Sequence, residues 1–364
     1  ERGKMIKIGI RWWRGGAYVF CVQLKYNDPN MRWGDGDVKT LDANIKSFIL
    51  VLYVTQCVIY YNLCILSPVE IAILYTLIRL TAKNLAVKQV HLFGRVWRLF
   101  FGGMPSGGFE TSHGDSWSIG SSFFTFIKHQ KKKYPERRAQ IMHYYSTDYI
   151  QFVCYGDDFI VGMHKDIHDI LNIHLFTQYL LTHWDMTLRN VRDLDRFLSV
   201  PDLVTGDLKF EGAVFLQRRF VAREAVTTRT DLPPVLPYRP LSRTIERFAW
   251  GACGGNRRTE DYLLSVIGMF YDTQGTNALA YEFCQFMYED IINRYNVDFN
   301  KVMTDIGTYT GHDTNLTRLI RKCGITVEDI RNGVPSRDSL LSRHIMDKNY
   351  TDFTPEFEDM SVYN

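Results

Sequence analysis

Apolar and polar positions alternate most legibly between Asp148 and Gly162, DYIQFVCYGDDFIVG. A β-rich run (Ile150, Phe152, Val153) enters a Tyr155-Gly156-Asp157-Asp158 corner, and a second (Phe159, Ile160, Val161) leaves it. This pattern predicts a β-hairpin with the Gly-Asp pair in its turn. Upstream, helical spacing predicts helices over 42–64 and 68–86, a strand-like run over 90–101, and a helix over 111–129. Downstream, 165–184 reads as an amphipathic helix and 209–221, KFEGAVFLQRRFV, as a strand pair. From Leu241 onward the pattern is helical, over 241–248, 260–271, 277–295 and 315–323. A mixed α/β part is thus followed by a helical third, with the proline-rich LPPVLPYRP (232–240) as the natural boundary. No internal repeat is visible.

The chain has 364 residues, long enough for a large core and more than one subdomain. Hydrophobic content of 46% and aromatic content of 14% exclude a disordered chain. A net charge of +3 says little about partners, so local clusters matter more. Seven scattered cysteines without a CxxC argue for reduced thiols in a cytosol-like compartment, against a zinc site or a disulfide framework. The chain opens with Glu1 and shows no signal peptide, and reads as a fragment or a processed product. Residues 47–69 carry no charge and are long enough to span a bilayer. However, Thr55, Gln56, Tyr60, Tyr61, Asn62, Ser67 and Pro68 interrupt the stretch or lie at its end, so a buried element is expected rather than a span.

Candidate chemistry begins at the hairpin. Two adjacent carboxylates at a buried tip repel each other and cost desolvation energy, which a cation would relieve. Oxygen-only ligands suit magnesium or manganese better than zinc. The competing reading is an ordinary Gly-Asp turn with solvated acids. Further upstream, Asp37 and Asp42 are spaced so that a strand end and a helix start can face one pocket, with Asp35 as a rival for the first position. Gly102, Gly103, Pro105, Gly107 and Gly108 form a loop entering the helix at Thr111, a place for phosphate or backbone contacts. That loop lacks the Lys-Ser/Thr of a P-loop and the GxGxxG of a dinucleotide site. Arg2, Lys4, Lys7, Arg11 and Arg14 stand among apolar residues with Trp12 and Trp13, fit for triphosphates or a nucleic-acid backbone, or simply a basic strand face. A basic knot, Lys131 to Lys133 with Arg137 and Arg138, precedes the hairpin.

In order along the chain, Asp37-x4-Asp42, Ser106-Gly107 with Thr111 and Asp115-Ser116, Gly156-Asp157-Asp158, and Phe215-Leu216-Gln217-Arg218 resemble the palm motifs of viral RNA-dependent RNA polymerases. The resemblance covers roughly residues 35–222. It implies an α+β, right-hand polymerase fold: an antiparallel-sheet palm with finger insertions and a helical thumb. The corresponding divisions are 1–34 as partial fingers, 35–222 as palm with a finger insertion at about 65–102, and 223–364 as helical thumb and C-terminal tail.

The resemblance also implies roles. Asp37, Asp157 and Asp158 would hold two Mg2+ ions, with Mn2+ as an alternative, about 3.5–4 Å apart over an in-line displacement. Asp157 would be the stronger ligand and Asp158 more peripheral. Asp42, Ser106, Gly107, Thr111 and Asp115 would sense the ribose, and Arg11 and Arg14 would hold the triphosphate. Gly108, Arg218 and Arg219 would contact primer and template, and Lys209 would act as general acid. Asp42 favours RNA synthesis over a reverse transcriptase, in which a bulky aromatic usually stands there. Asp115 departs from the Asn of most positive-strand virus polymerases and resembles the partitivirus and picobirnavirus enzymes, whereas Tyr155 is closer to the picornavirus side. Gln217 replaces the lysine of the Phe-Leu-Lys-Arg signature. The implied partners are an RNA template and product, ribonucleoside triphosphates, and viral capsid or replication proteins, in the host cytoplasm or inside the virion. A non-catalytic RNA-binding protein of the same fold, and a membrane-bound replication factor using 47–69, are the alternatives.

Overall fold

The computed structural model describes residues 12–39, 41, 67–86, 88–92, 95–99, 111–252, 259–295, 326, 328–329 and 332–346. The chain is mixed α/β with antiparallel sheets. It divides into two compact units. The first takes in residues 27–195, and the second 11–26 together with 196–352. The chain passes between the units at Tyr26/Asn27 and again at Asp195/Arg196.

The first unit is built on a four-stranded sheet: β1 (Met31–Val38), β4 (Ile150–Tyr155), β5 (Asp158–His164) and β6 (Leu188–Leu194), in the order β4-β5-β1-β6. Every neighbouring pair is antiparallel. Alternation sends Phe152, Phe159 and Val161 into one core with Phe123 and Phe126 of the long helix α3 (Thr111–Lys133). Phe123 stacks on Phe152 with ring centroids 4.5 Å apart. Phe176, on α5 (Ile173–Tyr179), meets Phe123 edge-on at 5.3 Å, closing the far side of that core. The remaining elements are α2 (Pro68–Ala86), the hairpin β2 (Lys88–Leu92) and β3 (Arg95–Leu99), and α4 (Arg138–Ser146).

Two expectations need correction here. The strand-like run over 90–101 is a two-stranded hairpin. The helix expected over 165–184 starts only at Ile173, where the Asn172 side chain accepts the Leu175 N–H at 2.9 Å; residues 165–172 form tight turns first. The basic knot is also partly engaged within the fold, because Arg137 pairs with Asp169 at 2.9 Å.

The second unit joins α1 (Gly16–Gln23) to short strands and helices. β9 (Val214–Phe215), β10 (Arg218–Ala222) and β11 (Val235–Tyr238) make an antiparallel sheet, and β7 (Val200–Pro201) pairs with β8 (Leu208–Phe210). Its helices are α6 (Leu241–Ala252), α7 (Thr259–Thr273), α8 (Ala278–Tyr295) and α9 (Arg337–Ser342). An aromatic cluster of Trp12, Phe20, Phe197, Phe215 and Phe220 ties α1 to this sheet. Trp12 is thus part of the core. The proline-rich 232–240 is no linker either: it supplies β11, a buried edge strand where Pro237 is tolerated because no second neighbour needs its missing N–H.

No helix among the described residues is long and apolar enough to cross a membrane. Residues 42–66, including the expected helix and most of the uncharged stretch, lie outside the described residues, as does the helix expected over 315–323.

Candidate functional site

The hairpin forms as its pattern predicts. Tyr155 pairs with Asp158 across a two-residue turn, Gly156-Asp157. Gly156 has φ +61° and Asp157 does not have a positive φ, the arrangement of a II′ turn with glycine first. The turn is docked from behind by α3. The Ser116 hydroxyl accepts the Gly156 N–H at 2.7 Å, and the Cys154 thiol lies 3.3 Å from the Ser116 carbonyl. Ser116 and Asp115 are both buried. One of the motif strings is thereby brought against another, 40 residues apart in sequence.

β1 completes the corner. In the β1–β5 register Asp37 stands directly opposite Asp158, and the Val38 N–H donates to the Asp157 carbonyl at 3.2 Å. Asp37 therefore meets Asp157 and Asp158, some 120 residues further along the chain, at one end of the sheet. Like charges directly opposite across strands repel. Burial pushes the Asp158 carboxyl up to about 7, helped by Asp157 and Asp37 and opposed by Arg189.

β6 supplies the cations. Arg189 is the cross-strand partner of Asp37 and donates Nε–H to its Oδ1, and its Nη2 lies 3.7 Å from Asp157 Oδ2. One guanidinium thus links two of the three acids. Arg192 holds Asp35 through Nε at 2.9 Å and a second contact from Nη2. The two acids of β1 thus have separate arginine partners. Asp35 is 3% exposed and occupied by Arg192, whereas Asp37 reaches the turn. The sequence reading missed both arginines. The available signal was LRNVRDL, whose two basic residues match the two acids of RWGDGDV once a bulge between Asp35 and Asp37 is allowed.

The other expected site residues are placed as follows. Thr111 opens α3. Asp42, Ser106, Gly107, Gly108 and Arg11 lie outside the described residues. Arg14 is exposed in the turn before α1, with φ +53°. Lys209 is exposed on β8, with Asp202 as a neighbouring charge. Arg218 and Arg219 are buried on β10 and engaged by Asp272 and Glu211 respectively. The Phe-Leu-Gln-Arg string is itself a tight turn between β9 and β10, with Leu216 and Gln217 both at positive φ, a costly backbone for such side chains.

Among the described residues, no three acidic, His or Cys side chains already stand as a ligand set. The donor chemistry at the corner nevertheless suits a hard divalent cation: oxygen only, with more negative charge than Arg189 neutralises. That Asp37 and Asp157 already share one cationic group shows that their oxygens can face a common positive charge.

No protein-family model matches the chain, and no curated protein sequence matches it.

Proposed function

We propose that the protein is an RNA-dependent RNA polymerase of viral type. The observation that carries the reading is the pairing of Asp37 with Asp158 beside the Gly156-Asp157 turn. The motif order along the chain required those acids to converge. A divalent ion bound there would neutralise phosphate charge and lower the barrier to attack by a 3′-hydroxyl. Asp37 and Asp157 are the residues to hold it, with Asp158 beside them. Ser116 fixes the turn, and on this reading Asp115, its buried neighbour on α3, has the sugar-side role. Nucleotidyl transfer asks little covalent chemistry of a protein, so positioning of this kind is the main requirement.

The test is extension of an RNA primer on an RNA template by the intact chain, with ribonucleotides and Mg2+. Asp157→Ala and Asp37→Ala should each lose on the order of a thousandfold in rate while remaining folded. Wild-type rates in either variant would overturn the assignment. One observation favours a second reading, in which the fold binds RNA without catalysis: Arg189 already spans Asp37 and Asp157. RNA binding by a folded wild-type protein that incorporates no nucleotide would select it. Incorporation of deoxyribonucleotides in preference to ribonucleotides would instead select a reverse transcriptase.

A further inference from the structure

The second unit holds an unusual concentration of positive charge around a single acid. Asp272 lies in the last turn of α7, where the helix dipole already disfavours a carboxylate. Three arginines converge on it. Arg218 donates to its carboxylate and to its main-chain carbonyl. Arg239 Nη1 lies 2.7 Å from Oδ2, and Arg247 Nη1 lies 3.0 Å from the same oxygen. One turn before Arg247 on α6, Arg243 pairs with Glu246 at 2.7 Å.

Part of this has a structural explanation. Arg218 caps the C-terminus of α7, and one guanidinium balances one carboxylate. Arg239 and Arg247 share that same carboxylate, so the positive charge around it exceeds the negative. Arg239 is 4% exposed, yet its buried Nε–H has no acceptor among the described residues. Burial, with Arg218, Arg247 and Arg243 close by, pulls its guanidinium down to about 10. Buried cations in excess of their partners are strongly destabilising unless an anion completes the set. Arg247, 41% exposed, gives solvent access to that set.

We propose that Arg239 and Arg247, held by Asp272 beside Arg218, form a binding site for a phosphate monoester dianion. Among the described residues the three guanidinium groups exceed the one carboxylate by two charges, which a dianion matches and a carboxylate or a single phosphodiester would only half meet. The planar donor fork of arginine suits phosphate oxygens. The ligand is either inorganic phosphate or the 5′-terminal phosphate of an RNA strand. The site does not depend on the acidic corner of the first unit.

The experiment is calorimetric titration of the intact chain with inorganic phosphate, against sodium chloride at matched ionic strength, with thermal unfolding in parallel. Phosphate should bind and raise the melting temperature beyond the chloride control. Arg247→Gln should weaken binding about tenfold with little effect on the unliganded melting temperature, and Arg247→Lys should fall between. Competition by a 5′-phosphorylated RNA oligonucleotide, but not by its 5′-hydroxyl counterpart, would identify the RNA end as the ligand. Competition by neither would identify free phosphate. No binding beyond the chloride control, or equal binding by Arg247→Gln, would overturn the proposal.

Discussion

At the tip of the β4–β5 hairpin the Gly156 amide donates to a buried hydroxyl, that of Ser116. Removing that oxygen strands an N–H away from water, at a cost of about 1–3 kcal/mol. Ser116→Ala should therefore lower the unfolding free energy by that amount, read from the shift of the denaturant midpoint. On the proposed function it should also lower kcat more than it raises KM, since it loosens the turn carrying Asp157. Ser116→Thr, which keeps the acceptor, should recover part of both. Asp115 is a different case. It is buried, and Asp115→Asn removes a charge while keeping the shape. RNA synthesis should survive that change in a primer-extension assay; its abolition would show that the assigned sugar-side role is wrong. At this scale the sequence was legible where a residue type carries a rare property, as with two consecutive acids after glycine. It was silent about Arg189 and Arg192, because an arginine in a strand is ordinary until its cross-strand partner is known.

Elements were predicted best where one local signal sufficed. α2 and the β4–β5 hairpin appear as the periodicity required, and the Gly156 turn follows from the residue type that adopts a positive φ at least cost. They were predicted worst where tertiary packing sets the boundary. α5 begins at Ile173 because Asn172 caps it and because Ile173 packs tightly on β1. A Cβ at Gly34 would stand 2.7 Å from the Ile173 Cβ and 3.1 Å from a Val161 methyl. Gly34→Val should consequently force α5 off the sheet and destabilise the first unit by more than about 2 kcal/mol, read as a shifted unfolding midpoint. Asn172→Ala, which removes only the cap, should cost about 1 kcal/mol. The larger effect of the glycine change would show that close packing, more than capping, positions this helix.

For the whole molecule, the two units should respond to pH in opposite senses. In the first, the Asp158 carboxyl is raised from 3.8 to about 7 by burial and by its acidic neighbours. The folded state holds that proton more tightly than the unfolded chain. Its stabilising contribution is present below about pH 4 and is lost as the pH rises toward 7. In the second, His344 is fully buried and lowered from 6.5 to about 4, mainly by burial. The unfolded chain takes up that proton first, so stability is present above pH 6.5 and lost as the pH falls toward 4. Each effect is on the order of 3–4 kcal/mol at its extreme. Asp158→Asn should flatten the decline between pH 4 and 7, and His344→Gln should flatten the acid-side decline, both measured by unfolding across that range. On the proposed function, added Mg2+ should offset the Asp158 loss in the wild-type protein.

The sequence by itself determined the hairpin, most of the helices and the identity of the acids, because turn chemistry and periodicity act over a few residues. It also supplied the motif order from which the functional reading starts. Only the tertiary structure decided which acid stands beside the turn, since Asp35 and Asp37 lie on one strand and differ in what faces them. The same holds for the arginines that oppose those acids, for Arg218 and Arg219 being engaged inside the second unit, and for a proline-rich stretch becoming a strand. Pairing register and burial are set by contacts between residues distant along the chain, and no short window of sequence contains them.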